Sequence, residues 1–446
     1  LQYLSAEGLK LINKLIELYA YYDDQQWLDE TGQPITPAKL AAARNLDYLP
    51  TMIVANEGAW LVDELAKFMF QKTPSFSCPA EQIDTAEDMA KPEYQPSEQQ
   101  AQANAVAAAR EKLLYRMAKQ NMLPEKLLQA GRDYHIAGGV ACKLHYDPLR
   151  GLRFIWRPRL EYWPVYDADD ADILIRVIFT GFLDGDEKTI WRQEYWLEGY
   201  AEAKAAAATG QAWTPPTCWM KEGLYEASTL KLKEERVPPT NTELPFIPVV
   251  IFPAKALTGE TEGRSTLARV QSLLDELNAK LSDNADSLRF GMFGVTVIKN
   301  AVLPSKADIA AGKAKPLVKA PNALWTLNGG GAGGGGNRAD PDAKVLEHQL
   351  SYREALEFHL NAIERLVHKI ANVPQIDAEK ISGLGDLSGI AIRMLYGPII
   401  SATDETMTVW VPRLQRLFGY ALLMLQRYEA RPHYPEELLR QAGLDG

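Results

Sequence analysis

The residues 167–172 have the types and the close spacing of a calcium-binding loop. They contribute four carboxylates, and carboxylate oxygens are ligands that Ca²⁺ prefers. The segment has no glycine at the sharp turn and no glutamate at the distal position of such a loop. A solvated acidic turn is therefore the preferred interpretation. The four side chains are those of Asp167, Asp169, Asp170 and Asp172.

The segment 259–265 has the two glycines and the hydroxyl residue of a phosphate-binding loop. Its glycines, Gly259 and Gly263, have the wrong spacing, and Arg264 stands where Gly-Lys is needed. The segment therefore predicts no nucleotide site.

Histidine and cysteine offer no metal or nucleophile constellation. His348, His359 and His368 follow one another at steps of 11 and 9, so no pair has the i, i+4 spacing of a helical zinc site. The three cysteines, Cys78 and two others, are far apart, which suits a reducing compartment. No catalytic motif is present. We predict no catalytic residue, no cofactor and no metal, and hence a protein that is not an enzyme.

Chain length and net charge further restrict the class of protein to which the chain can belong. The chain has 446 residues, enough for two or three domains, and no apolar run approaches the length of a membrane span. Its net charge of −10 is unusual for a protein that grips DNA by its phosphates. The charge fits either an acidic protein without a nucleic-acid role or a channel wall that repels DNA and lets it slide. Charge alone leaves both interpretations open.

Two long amphipathic helices dominate the middle of the chain. The first is predicted over 265–289, with Ser265 as its N-cap, and the second over 341–372. An insert at 291–340 separates them; it contains two β-rich runs and a glycine-rich segment, 329–336. A short polar loop follows, and then a helix that Gly397-Pro398 should kink.

The flanking regions combine helices with strands, which predicts an α+β fold. Helices are expected at 5–22, 37–44, 51–71, 99–120, 124–137 and 399–428. Strands are expected at 140–146, 152–156, 173–182, 189–197, 229–233 and 245–252. Six of the ten tryptophans lie in 151–220, where core packing is preferred over a contact with another protein. The final residues, 431–446, are expected to be short and polar.

The insert is basic although the chain is acidic. Residues 291–341 contain six basic and two acidic side chains. Either these residues keep a loop solvated or they form a docking surface for an acidic partner or for DNA. The basic residues are Lys299, Lys306, Lys313, Lys315, Lys319 and Arg338.

The succession of long helix, β-containing insert, long helix, short loop and kinked helix resembles the portal proteins of tailed bacteriophages, specifically the SPP1-like siphophage branch. The phrases that carry the resemblance are Arg264-Ser-Thr-Leu-Ala-Arg-Val-Gln-Ser-Leu-Leu-Asp-Glu-Leu-Asn278 and Ser388-Gly-Ile-Ala-Ile392. The resemblance implies a wing domain at 1–257, with helices over 1–137 and a β-rich region over 138–257. It then implies stem helix 1 at 258–290, a clip at 291–340 and stem helix 2 at 341–373. A tunnel loop at 374–387, a kinked helix of wing and crown at 388–430, and a short crown or C-terminal tail at 431–446 would follow.

The same resemblance implies function and partners. A ring, a dodecamer in the virions of the family, would sit at the capsid portal vertex and pass double-stranded DNA during packaging and ejection. It would be assembled in the host cytoplasm, and no membrane is involved. Implied partners are further copies of the chain, the terminase large subunit, a head–tail adaptor, and the major capsid and scaffolding proteins. The alternatives are another virion ring or scaffold component without motor docking, and a DNA-processing enzyme with a degenerate motif.

Candidate site residues follow from these assignments. The tunnel loop would present Gln375, Asp377, Glu379, Lys380 and Asp386. Lys380 is the residue to test for a DNA contact, although a partnerless surface lysine is slightly preferred. The stem stripe would pack through Leu274, Leu277, Leu281, Leu356, Leu360 and Ile363, and we expect replacement of Leu277 and Leu281 by aspartate to prevent ring formation.

Overall fold

The structure is a computed structural model. It describes residues 6–29, 32–85, 94–183, 185–291, 295–299, 301–302, 309, 311, 328–329, 342–346, 352–375, 393–428 and 433–444. The chain forms two compact units. Unit 1 consists of Leu1–Ile35, Val54–Asp275 and Ile363–Gly446, and unit 2 consists of Thr36–Ile53 and Glu276–Ala362.

Unit 1 contains most of the helices. They are α1 (Ala6–Tyr22), α3 (Glu57–Phe70), α4 (Glu98–Gln120), α5 (Leu123–Ala137), α6 (Tyr200–Ala208), α9 (Gly397–Arg427) and α10 (Glu436–Gln441). Two helices contribute residues to both units: α7 (Thr266–Gly291) and α8 (Arg353–Ala371). Polar side chains cap several amino ends, since Asn56 accepts from the Ala59 amide at 3.2 Å and Ser97 from the Gln100 amide at 3.1 Å.

Two antiparallel sheets complete unit 1. The first has the order β2-β1-β8, formed by β1 (Gly139–Asp147), β2 (Gly151–Pro158) and β8 (Val249–Pro253). The second is a five-stranded meander formed in sequence by β3 (Tyr162–Tyr166), β4 (Leu174–Leu183), β5 (Asp186–Glu198), β6 (Thr217–Glu226) and β7 (Leu232–Asn241). Successive residues of β4 and β5 point to opposite sides of the meander, and one of these sides packs on the core. Phe179 and Tyr195 are buried on that side.

Trp410 of α9 joins the helices to the first sheet. It is fully buried, and its ring centroid lies 4.4 Å from that of Phe252, 4.9 Å from Phe70 and 5.5 Å from Tyr134. These rings belong to β8, α3 and α5. Burial of such aromatic side chains is a major stabilising term, so α9 is an integral component of the unit 1 core.

Unit 2 is smaller. It contains α2 (Pro37–Ala43) and four short strands, β9 (Val295–Lys299), β10 (Ala301–Val302), β11 (Asn328–Gly329) and β12 (Asp342–Leu346). β9 pairs with β12 and β10 with β11, both antiparallel. The predicted strand at 295–298 is therefore confirmed, whereas the second β-rich run, 323–327, lies outside the described residues.

Two helix predictions were wrong in their bounds. The helix expected at 51–71 begins at Glu57, because the chain before it is extended and Asn56 caps the first turn. The helix expected from residue 341 begins at Arg353, because Asp342–Leu346 pairs with β9 as a strand. Residues 393–395 are helical, Tyr396 forms a turn, and Gly397-Pro398 opens α9; proline suits a first turn, where its missing N–H leaves no bond unmade. Residues 388–392 lie outside the described residues.

Strand predictions also need correction. The strand expected at 245–252 begins at Val249, since Pro245 and Pro248 have no N–H to donate to a ladder. The run 229–233 is mostly a turn, with Leu230 at φ +56°, and β7 begins at Leu232. Strands β3 and β6 and helix α6 were not predicted.

The final residues are not a polar tail. Tyr434 and Leu439 are each 2% exposed and belong to the unit 1 core. No helix among the residues that the structure describes is both long enough and apolar enough to span a membrane.

Candidate functional site

The amino end of α7 is held by side chains from three segments. Ser265 is its N-cap, as predicted: Oγ accepts from the Ala268 amide at 2.9 Å and donates to the His135 carbonyl at 3.3 Å. Just before the cap, Glu262 accepts two bonds from the buried Arg159 guanidinium, at 2.6 and 2.9 Å. A bidentate pair of this kind fixes direction as well as distance. The start of α7 is therefore fixed within unit 1.

Two glycines allow the backbone to approach itself closely at this point. A Cβ atom on Gly263 would overlap the Gly138 carbonyl oxygen and the Ala254 amide nitrogen. Gly138 ends α5 with φ +79°, and its carbonyl accepts from the Ala254 amide at 2.9 Å. The Arg264 amide in turn donates to the Ala254 carbonyl at 2.6 Å. Only glycine fits at 263, because the obstructing atoms are backbone.

His135 lies beneath the same helix end but has no site around it. Its Nδ1 is 3.0 Å from Thr266 Oγ1 and its Nε2 is 3.1 Å from Met69 Sδ. Burial lowers the pKa of the imidazole from 6.5 to about 3, so the ring is neutral at physiological pH. We interpret His135 as a satisfied core residue that orients the first turn of α7.

Within unit 1, α7 packs through its apolar stripe against α1 and α3. Leu267 and Leu274 are each 1% exposed, and a methyl group on Gly58 of α3 would lie 2.8 Å from Leu267 Cδ1. Beside them Tyr21 Oη donates to Asp275 at 3.0 Å. Burial raises the pKa of the Asp275 carboxyl. The stripe predicted from sequence is therefore covered by the chain itself along this stretch of the helix.

Within unit 2, polar side chains of α7 form hydrogen bonds with residues 51–53. Asp286, 5% exposed, accepts from the Thr51 amide at 3.1 Å and from Thr51 Oγ1 at 2.6 Å. One turn earlier, Ser282 Oγ accepts from the Ile53 amide at 2.9 Å. These bonds satisfy the backbone before α3 and explain why residues 51–53 are not helical.

The carboxyl end of α8 is also well defined. Asn372 adopts a left-handed conformation with φ +58°, and the Val373 amide donates to the His368 carbonyl at 3.1 Å. This is the closure that ends many helices, and Pro374 follows it. Beyond it, Gln375 Nε2 donates to Glu364 Oε2 at 3.3 Å on the surface. The predicted helix end at 372–374 is confirmed.

The predicted stem-packing residues divide into two groups. Leu274, Leu277 and Ile363 are 1%, 3% and 3% exposed within a single chain, whereas Leu281, Leu356 and Leu360 are half-buried. The argument that a neighbouring subunit is needed to cover the stripe does not hold for the first three. Replacement of Leu277 by aspartate would disturb the fold of one chain, so it cannot test assembly.

Other apolar side chains of α8 do remain uncovered. Leu366 and Ile370, four residues apart in the stretch of the helix that belongs to unit 1, are 46% and 39% exposed. Phe358, in the stretch that belongs to unit 2, is 75% exposed. The stem-packing residues predicted from sequence include none of these three side chains. Exposed apolar residues at helical spacing are typical of a contact with another protein.

Most predicted docking and tunnel residues lie outside the described residues. These are Lys306, Lys313, Lys315, Lys319, Arg338, Asp377, Glu379, Lys380 and Asp386. Lys299 is the last residue of β9, paired in register with Asp342. Of the predicted docking and tunnel residues, the structure describes Lys299 and Gln375.

Two carboxylates of the acidic turn pair with a lysine of α6. Lys204 Nζ lies 2.7 Å from Asp167 Oδ1 and 2.6 Å from Asp169 Oδ2. The lysine and backbone amides hold the pKa of the Asp167 carboxyl down at about 2. Across the described residues, no group of three or more His, Cys, Asp or Glu side chains is placed to hold a metal ion.

Two features that hold α7 in place were not predicted from the sequence. The first is the Gly138–Gly263 approach, for which the signal is a glycine shortly before a serine N-cap. The second is the buried polar row of α7, Ser282 and Asp286, which falls at an i, i+4 spacing beside the apolar stripe. From sequence alone, polar residues at helical spacing are interpreted as the solvent-exposed face of a helix. The segment that covers Ser282 and Asp286 is known only from the structure.

The chain was compared with protein-family models and with curated proteins. A family model described as phage portal protein, SPP1 Gp6-like, matches residues 1–436. No curated protein matches the chain significantly.

Proposed function

The chain belongs to the SPP1 Gp6-like family of phage portal proteins, and from this premise we propose that it forms a ring, a dodecamer in the virion, at one vertex of the capsid. Double-stranded DNA would be packaged and ejected through the centre of that ring. The observation that carries the proposal is the extent of the family match, which covers 436 of 446 residues. Such a match relates the complete order of segments and not one motif alone.

Two features of the described residues support an assembled ring. The helix α8 exposes Leu366 and Ile370 to solvent, and a second copy of the chain would cover them. The anchor at Ser265 and Gly263 fixes one end of α7 within unit 1, as a helix that lines an assembly requires. The predicted stem helices thus correspond to α7 and α8, with the second beginning at Arg353.

The proposed partners are those of a portal. We propose that the insert 291–340, which contains β9, is the clip that would receive the terminase large subunit and later the head–tail adaptor. The major capsid and scaffolding proteins would surround the ring. The segment 374–387 is proposed as the tunnel loop. In this role the chain performs no catalysis, and the packaging motor would supply the energy.

Two alternatives predict different results. Another virion ring component would assemble but would not bind terminase. An enzyme acting on DNA would show turnover that depends on a divalent metal, and it would need clustered carboxylates.

The first experiment is the mass of the purified particle, measured by native mass spectrometry, with class averages from electron microscopy. We expect a closed ring of about twelve subunits with a central hole. Because some rings need scaffolding protein to form, the same measurement is made after co-expression with it. A chain that remains monomeric under both conditions contradicts the proposal.

A pair of variants tests the proposed contact. Leu366→Glu with Ile370→Glu places two charges on the exposed side of α8, and we expect a folded chain that no longer forms rings. The matched control is Leu149→Glu, in the turn between β1 and β2, where the side chain is 86% exposed. Rings formed by the double variant would show that this side of α8 faces no subunit.

A further inference from the structure

A cleft of about 740 Å³ in unit 1 is not used by the proposed function. One wall is α9, a second is β8 with the residues before it, and the third is the acidic turn that leads into β4. The volume lies within the range of known ligand-binding pockets. All of the lining residues belong to the same compact unit.

Two arginines on the α9 wall form no ion pair with an acidic side chain of the described residues. Arg413 is half-buried, and its guanidinium donates to the carbonyls of Ile251 at 3.0 Å and of Val409 at 3.4 Å. Arg416 is exposed one turn further on. Among the residues that the structure describes, neither forms an ion pair within 4.0 Å. Burial lowers the pKa of Arg413, an indication that its charge is poorly solvated.

An aromatic surface continues the same side of α9. Arg413, Arg416 and Tyr420 occupy positions i, i+3 and i+7, so they face one direction. The Tyr420 ring is stacked on Phe246 with centroids 3.9 Å apart. The cleft thus places two cationic groups beside an apolar, aromatic surface. A ligand that fits would carry an anionic group next to an apolar one.

The opposite wall excludes a polyanion. Asp170 and Asp172 face the cleft from the acidic turn, and Asp172 contributes to the electrostatic environment of Arg413. Glu260 also lines the cleft, but it is paired with Arg264 at 2.9 Å. A nucleic acid would meet these carboxylates along its backbone, whereas a single carboxylate near the arginines would not. The charge distribution therefore favours a peptide over a nucleic acid.

We propose that this cleft is a docking site for a peptide segment of a partner protein that carries a single carboxylate side chain followed by an apolar one. Arg413 and Arg416 bind one carboxylate side chain of that segment, and the Phe246–Tyr420 pair packs against the apolar side chain that follows it. The interaction surface does not depend on ring formation and can be tested on the unassembled chain.

The probe is a fluorescein-labelled octapeptide of alanine, leucine and proline with a central Glu-Leu pair, measured by fluorescence anisotropy. Two matched peptides replace the glutamate by glutamine or by lysine. We expect the Glu peptide to bind at least tenfold more tightly than the Gln peptide, as for the loss of one charge-assisted interaction. Arg416→Glu should abolish binding of the Glu peptide and permit binding of the Lys peptide. Arg365→Glu, an exposed arginine on α8, is the matched control and should change neither affinity.

Arg416 is the position to vary first, because Arg413 also supports β8 through the Ile251 carbonyl. Three results would overturn the proposal. They are equal binding of the Glu and Gln peptides, binding of the Glu peptide that Arg416→Glu leaves unchanged, and the absence of binding by all three peptides at millimolar concentration. Tighter binding of a 12-nucleotide single strand than of the Glu peptide would also overturn it, in favour of a nucleic acid.

Discussion

At the scale of single residues, the carboxyl group of Asp133 in α5 shows how desolvation and hydrogen bonding compete. Tyr19 Oη donates to Asp133 Oδ1 at 2.8 Å, which stabilises the ionised carboxylate. Burial has the larger effect and raises the pKa of Asp133 from 3.8 to about 6. The protonated form therefore persists in the folded chain up to about pH 6, roughly two pH units higher than in the unfolded chain. Neither effect could be predicted from sequence, since the two residues are 114 positions apart.

Asp133→Asn provides a test with a defined sign. Because the folded pKa exceeds the unfolded one, the stabilisation from Asp133 is fully present below pH 4 and is lost as pH rises through about 6. The amide can still accept the Tyr19 bond but does not titrate. We expect the wild-type chain to gain about 2 kcal/mol relative to the variant between pH 7 and pH 4. Urea unfolding of both unassembled chains measures this, and parallel pH profiles would contradict it.

At the scale of elements, patterning predicted the apolar helices well and the short strands poorly. The cap at Ser265 and the helix end at Asn372 follow from local chemistry, and both agree with the sequence prediction. The strand Asp342–Leu346 was not predicted, because its leucine and valine fit the apolar stripe of a helix as well as a β-strand. Its partner, β9, is more than 40 residues away. Local propensity cannot choose when a distant strand supplies the hydrogen bonds.

The anchor of α7 yields a prediction about one glycine. Gly263→Ala places a methyl group against the backbone of Gly138 and Ala254, so the segments must separate. We expect a loss of about 4 kcal/mol or more in unfolding free energy, a value reached only by severe mutations. Thermal unfolding of the unassembled chain followed by circular dichroism checks it.

Gly419→Ala is the matched control for that variant. Gly419 lies within α9, and a methyl group there would meet no atom within 4 Å. Since glycine weakens a helix interior, alanine should stabilise the chain by roughly 0.5–1 kcal/mol. Equal unfolding temperatures for the Gly263 variant and the wild-type chain would show that the close approach has no energetic weight.

At the scale of the whole molecule, the order of segments carried more information about function than any single residue. No catalytic motif, metal constellation or nucleotide loop is visible in the sequence, yet the succession of long helices and insert suffices for the family. The docking and tunnel residues could be placed only by resemblance, because loops without periodicity give no register. Exposed apolar residues such as Phe358 became visible only when burial within one chain was known.

Net charge gives the last prediction. A chain at −10 that surrounds DNA should repel the duplex, so that movement through a channel meets no deep binding minimum. Ordinary non-specific DNA-binding proteins reach dissociation constants of about 10⁻⁴–10⁻⁶ M at physiological salt. We expect no saturable binding of a labelled 30-base-pair duplex below about 100 µM at 150 mM salt, for the chain or the ring, measured by fluorescence anisotropy. A comparison at 50 mM salt serves as the control, because phosphate contacts would strengthen binding steeply there. Micromolar affinity with a steep salt dependence would mean that the basic residues of 291–341 grip DNA, and the insert would then be a nucleic-acid surface instead of a site for protein partners.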